Sequence, residues 1–297
     1  MTQHPSPEKP LIRLSRQADR INSLTLFRFL RVRARVSELD LSAVPFDGHH
    51  KFLGCLFRYA EEHILLPESF YFIGQNAQVL NLPLAVSFCG SEMPTIRGFQ
   101  LAEQLAQIVS KMGVVISGGV HGVDMAAHLG ALDAGGPTVA VVANSAGAGI
   151  HPYVPQRRFI QDGILSSGGG IISEYSDDVV DRRDRLLARD RIISGLSDIV
   201  VVIEASENSA SVDTAKRAFL QGKTVLVVDW SKFAGSETER PKMAGNRQLL
   251  DLGIARGFPQ RPVSDLSDPT LESDFSCLLA EVKVLNEDLL RPGQSRG

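Results

Sequence analysis

The chain has 297 residues, enough to bury a sizeable core in one large domain or two. Hydrophobic residues make up 43% and charged residues 22%, the balance of an ordinary globular protein rather than a disordered or fibrous one. A formal net charge of -3 excludes a uniformly basic nucleic-acid binder, so any such role has to rest on a local basic patch.

Residues 1–10, "MTQHPSPEKP", are polar and Pro-rich and read as a disordered tail without the apolar stretch of a signal peptide. From 11 to 66 apolar residues recur at mixed helical spacing, which predicts a small helical N-terminal domain. Arg28, Arg31, Arg33 and Arg35 make it locally basic, as a solvated helix face or a ligand patch. No apolar run reaches bilayer-crossing length. Cys55, Cys89 and Cys277 have neither CxxC nor metal-like spacing, so we expect reduced thiols, a cytoplasmic location and no membrane.

After Pro67 the texture changes. Val- and Ile-rich runs of strand length occupy 84–89, 113–117, 138–143, 170–173, 199–203 and 224–229, mostly without alternation, as in strands covered on both faces. Helical patterns lie between several of them. In "GFQLAEQLAQIVSKMG" one stripe carries Leu101, Leu105, Ile108 and Met112, and Gly113 closes the helix. The alternation predicts an α/β domain over 67–260, a Rossmann-like, doubly wound, mostly parallel sheet. The last stretch, 261–297, holds one amphipathic helix around 271–290 and a polar end.

Ligands of open parallel sheets bind beyond the carboxyl ends of the strands, and three such ends here are built from small residues. Gly90 and Ser91 follow one strand, with Thr95 placed to cap the next helix. Ser117, Gly118, Gly119 and Gly122 follow another, and Asp124 leads into a helix. Glu204 ends a third, ahead of Ser209 and Ser211. Glycine lets a ligand approach the backbone, and free N–H groups at helix starts attract phosphate. Each loop alone is also what a tight turn needs; three on one rim point to a site.

The GxGxxG spacing is absent, as is a GKS or GKT after a Gly-rich loop, so neither a nicotinamide enzyme nor a Walker-type NTPase is supported. Between two strands, Arg182, Arg183, Arg185, Arg189 and Arg191 crowd together with Asp181, Asp184 and Asp190. They suit either bidentate phosphate contacts or an internal salt-bridge network. His121 and His128 lack a nucleophile to activate, and His128 reads as a packed core histidine. Glu204 is expected to accept backbone N–H bonds. We expect a binding site, without catalytic residues, metal or cofactor.

These segments, in this order, resemble the DprA/Smf family of DNA-processing proteins. "YFIGQNAQVLN" is similar to the strand entering its Rossmann-like core, "CGSEMPTIRG" to its GSR loop and "ISGGVHGVDMAAHLGAL" to its SGxARGID-AAH segment. "GIHPYVPQRRFIQDG" and "IISEYS" resemble its Tyr-Pro and Ser-Glu stretches. "RDRIISGLSDIVVVIEASENSASVDTAKRAFLQGKTVLVV" resembles its RNRIIAGLS strand and SGSLITA helix, and "AGNRQLLDLGI", with Asn246, its final Asn-containing helix. The resemblance covers about residues 70–258.

It implies single-stranded DNA held along these loops, a homodimer and help in loading a recombinase, with Gly90, Ser91, Arg97, Ser117, Gly118, Gly119, His121, Gly122, Arg185, Arg189, Arg191, Ser209, Ser211 and Asn246 as phosphate- or DNA-binding residues. The chain departs from the pattern at Glu92 and His121, where the family has arginine, at Asp190, where it has asparagine, and at Ala210. The first three changes remove positive or add negative charge where phosphate would sit, with Arg97, Arg189 and Arg191 left to compensate. The other reading is a diverged regulator, a toxin–antitoxin or antiviral-defence component, binding a toxin or effector protein or a nucleotide-like ligand. A phosphoribohydrolase of the lysine-decarboxylase-like kind would need a PGGxGT segment, which "EASENSASVDT" does not supply.

Overall fold

A computed structural model describes residues 71–290 except 76, 147–148, 151–154, 176–182 and 236–240. The tail and helical domain expected before residue 67 lie outside the described residues, as do Asp181 and Arg182.

Eight strands form one sheet: β1 (Tyr71–Gly74), β2 (Ala85–Cys89), β3 (Val114–Gly118), β4 (Thr138–Val141), β5 (Gly170–Ser173), β6 (Ile199–Val202), β7 (Thr224–Val228) and β8 (Arg256–Phe258). Their order is β1-β5-β4-β3-β2-β6-β7-β8. β1 runs antiparallel to β5 and the other neighbours are parallel. The helices are α1 (Ile96–Ser110), α2 (Val123–Asp133), α3 (Pro155–Ser166), α4 (Arg183–Leu196), α5 (Ala210–Leu220), α6 (Ala244–Asp251) and α7 (Pro269–Leu290).

The strands lack polar alternation because both faces are covered. Val86, Phe88, Val115, Ile199, Val201, Leu226 and Val228 pack with α1, α2 and α7 on one face. Val114, Ile116, Val139, Val141 and Ile172 pack under α4, and Val200, Val202, Val225 and Val227 under α5 and α6, on the other. This is the doubly wound sheet the sequence predicts. The Leu101, Leu105 and Ile108 stripe of α1 is buried, with Met112 packed against the same core. Gly113 is required by close approach, since a β-carbon there would come within 2.3 Å of the Leu84 carbonyl oxygen.

Strand order reverses between β2 and β6. From β2 the chain winds outward through β3, β4 and β5, then α4 carries it back to β6 and on to β7 and β8. The loops after β2, β3 and β6 therefore meet at the carboxyl end of the sheet, where ligands of such folds bind.

Candidate functional site

Main-chain bonds zip the three loops together. Ser91 N–H donates to the Glu204 carbonyl at 2.7 Å, and Val123 N–H to the Ser91 carbonyl at 3.2 Å. Gly122, the N-cap of α2, has φ +80, and a β-carbon there would strike the Ser91 carbonyl oxygen at 2.2 Å. Only glycine meets both conditions. Gly90, Ser91, Gly118, Gly119, His121 and Gly122 are thus brought to one place, with His121 exposed on the turn. The Ser117 hydroxyl is buried and donates to the Phe88 carbonyl at 2.8 Å, so it holds β2 to β3.

The crevice at the strand-order reversal is filled by the chain itself. Glu204 has no solvent exposure. Its carboxylate accepts from Thr95 N–H at 2.8 Å, bonds the Thr95 hydroxyl, and lies against Gly98, where a β-carbon would come within 2.4 Å of Oε1. The Thr95 hydroxyl also caps α1, accepting from Gly98 N–H at 3.0 Å. The positive end of α1 is already occupied by an internal anion. Glu204 acts on backbone N–H, as expected from its place after a strand.

Asn246 on α6 closes the other side of the crevice. Its amide accepts from Ala205 N–H at 2.8 Å and donates to the carbonyls of Ile203 and Val228 at 2.8 and 2.9 Å. It is buried, and it staples the loops after β6 and β7. Beyond it lies a cleft of about 260 Å³ lined by Asp229, Ser231, Arg247 and Asp251 among others. Ser209 is the N-cap of α5 without a side-chain cap bond, its hydroxyl shielded, and Ser211 lies in the first turn.

Two of the arginines are bound to carboxylates. Arg191 pairs bidentately with Glu174, Nη1 to Oε1 at 3.0 Å and Nη2 to Oε2 at 2.5 Å, and also reaches the Ala188 carbonyl. Burial would raise the Glu174 carboxyl, but Arg191 outweighs it and holds the group below its usual value. Arg189 Nε donates to Asp190 at 3.4 Å, and its Nη2 lies 4.0 Å from Asp124. Arg185 stacks 3.9 Å from the centroid of the Tyr175 ring. Arg97 lies over Phe233 at 5.7 Å and reaches the Ala234 carbonyl at 3.5 Å. Of the two readings of this run, the internal network is seen at Arg189 and Arg191, whose partners Asp124 and Glu174 come from other elements.

Burial pushes the Asp124 carboxyl up to about 6, only partly offset by Arg189, and it raises Asp190 and the Cys89 thiol too. His128 is buried between Thr138 Oγ1 at 2.7 Å and the Gly118 carbonyl at 2.8 Å, and desolvation lowers it to about 4. It is a neutral core histidine, as its helix position predicts. Among the described residues no group of three His, Cys, Asp or Glu could hold a metal, and no helix is long and apolar enough to cross a membrane.

Sequence reasoning carried Glu174 only within "IISEYS", without its arginine partner, and missed Lys242 and the apolar pair Met93 and Ile96. Lys242 donates from α6's approach to the Met93 carbonyl, and Met93 and Ile96 are 75% and 79% exposed at the rim. Only their tertiary neighbours reveal them.

The family model of DNA recombination-mediator protein A matches residues 59–262. DNA processing protein DprA of Streptococcus pneumoniae is 31% identical over 160 residues, 54% of this chain and 55% of that protein. Protein Smf of Escherichia coli is 30% identical over 190 residues, 59% of this chain and 50% of that one. The chain spans little more than half the length of these relatives. Among solved structures, DNA processing protein A from Helicobacter pylori, studied for its single-stranded DNA binding mode, matches with a TM-score of 0.60 and 27% identity over 73% of this chain and 91% of that one. Streptococcus pneumoniae DprA matches with a TM-score of 0.56 and 29% identity over 65% of each chain.

Proposed function

Because this chain belongs to the DNA recombination-mediator protein A family, we propose that it binds single-stranded DNA without catalysis and acts in DNA processing through protein partners, as a homodimer. The observation that carries this reading is the β3–α2 turn. It is exposed at His121 and precedes an 11-residue helix whose positive end attracts phosphate, with Asp124 as an internal carboxylate in the first turn that takes the Val120 amide. Arg189 stands directly behind it. Glu204 and Asn246 fill the place a dinucleotide would need, which favours a backbone lying across the rim over a nucleotide held in the crevice. The Helicobacter relative, whose solved structure concerns single-stranded DNA, supports the same ligand.

Phosphate contacts would lie on Gly119–Gly122 and Arg189, with Gly90, Ser91 and Arg97 on the neighbouring loop. Arg185, Arg191, Ser209, Ser211 and Asn246 belong to the proposed site as its frame. The test is fluorescence anisotropy with a labelled oligothymidylate over a salt series. Glu92 is exposed on the rim, so Glu92→Arg should tighten binding several-fold and steepen its salt dependence. His121→Glu, on the exposed turn, should weaken it. Absence of binding at low salt by both the wild-type protein and Glu92→Arg would overturn the reading and turn attention to a recombinase or effector protein as the ligand.

A further inference from the structure

The groups beneath the rim suit it to regulation, provided that the rim is the phosphate site proposed above. Arg189 lies directly beneath the β3–α2 turn. A β-carbon on Gly118 would fall 2.8 Å from its Cζ and Nη1, and 2.4 Å from Asp124 Oδ2. Its side chain is 9% exposed, and among the described residues neither terminal nitrogen donates a hydrogen bond. Two carboxylates flank it, Asp190 at 3.4 Å from Nε and Asp124 at 4.0 Å from Nη2. Asp124 also accepts the Val120 N–H at 3.4 Å, one of the amides an anion on this turn would use.

The other groups around Asp124 supply no second compensating charge. The buried thiol of Cys89 on β2 is held neutral by burial, and the Ser117 hydroxyl on β3, which donates to Phe88, also lies against Asp124 and lowers its carboxyl. His128, farther along α2, is neutral and committed to Thr138 and Gly118. Arg217 on α5 faces Asp190 and donates to the Leu187 carbonyl at 2.7 Å. His121 is exposed on the turn itself. With both carboxylates ionised, Arg217 offsets Asp190 and Arg189 is shared between the two, while an arriving phosphate meets Asp124 on the Val120 amide.

We propose that Asp124 and Asp190 form a proton-coupled gate on Arg189, so that a phosphodiester binds the Gly119–Gly122 turn together with one proton taken from solvent onto Asp124. Protonation removes the charge competing for the turn and leaves the terminal nitrogens of Arg189 for the ligand. No covalent bond changes; the proton is the sole species exchanged. Asp124 titrates near 6, so the proton is available close to neutral pH. Asp190 couples to the gate through its 3.4 Å contact with Arg189 Nε and by raising the Asp124 carboxyl.

The test measures oligothymidylate binding between pH 5.5 and 7.5 and by calorimetry in buffers of different ionisation enthalpy. Wild-type binding should tighten by up to about tenfold per pH unit of acidification, with a buffer-dependent heat reporting proton uptake. His121→Gln should keep this dependence. Asp190→Asn should bind more tightly at pH 7.5 and shift the dependence to lower pH. Carboxyl NMR of the DNA-free protein gives a second readout, in which the Asp124 midpoint should fall in Asp190→Asn. Binding without proton uptake, or an Asp124 midpoint in the ordinary carboxylate range, overturns the gate and leaves the DNA reading standing. Absence of DNA binding at any pH overturns both. Loss of the pH dependence in His121→Gln assigns it to the imidazole and overturns the gate.

Discussion

Glu204 is a carboxylate with no exposure, and its place is explained by what it touches: the amide and the capping hydroxyl of Thr95, the N-cap of α1, and the bare Cα of Gly98. Glu204→Ala would leave a buried N–H without its acceptor and a void at the helix end, so we expect a loss of about 2–4 kcal/mol in urea unfolding. Glu204→Gln keeps one acceptor for Thr95 N–H and one polar partner for its hydroxyl, and should cost about 1 kcal/mol or less. Equal losses in the two variants would show that the charge, rather than the hydrogen bonds, holds the loop. Arg189 calls for a different expectation. Arg189→Ala leaves buried Asp124 without its cation, while Asp190 keeps Arg217, and should destabilise the fold by about 3–5 kcal/mol, read as a fall in thermal midpoint. Weakened DNA binding by that variant would therefore not by itself identify a phosphate contact, whereas exposed Glu92 and His121 can be changed without disturbing the core.

At the scale of one element, α2 carries two buried titratable groups with opposite consequences. The folded-state value of Asp124 is raised from 3.8 to about 6, so its penalty is present above pH 6 and is relieved as pH falls towards 4. His128 is lowered from 6.5 to about 4, so stability is lost as pH falls through the same window. Each shift of about two units corresponds to about 3 kcal/mol, and the two should nearly cancel. Relative to wild type, Asp124→Asn should lose stability on acidification from pH 6.5 to 4.5, and His128→Gln should gain it, in urea melts at each pH. Parallel curves for all three proteins would refute the opposed pair. The His128 assignment was legible in the sequence because a histidine flanked by Ala126 and Ala127 sits on an apolar helix face. The strands were legible for a similar reason, their Val and Ile runs being covered twice. β8 was not, because "RGF" is three residues long and gains its place only by pairing with β7. Glu174 and Asp124 as arginine partners were also hidden, since a choice between ligand patch and salt-bridge network is made by residues distant in sequence.

For the whole molecule, the sheet reverses its strand order where Rossmann-like proteins hold dinucleotides, yet Glu204 from one loop and Asn246 from α6 already occupy that crevice. The three small-residue loops announced a rim in the sequence, but only their packing shows that Glu204 plugs the end of α1 whereas at α2 Asp124 takes the Val120 amide. With a net charge of -3, long-range attraction contributes little, and the proposed affinity for an anionic strand would come from the few contacts at the β3–α2 turn. About three phosphates engaged there would give a logarithmic salt slope near -2 for a single strand. Between about 50 and 200 mM salt, affinity should then fall by about 20-fold, well short of the collapse seen with an extended basic channel. The same packing predicts that NAD or ATP leaves the thermal midpoint unchanged, while oligothymidylate raises it at low salt. A midpoint raised by a nucleotide alone would mean that α6 can leave the crevice, and that the fold retains the pocket its own side chains now fill.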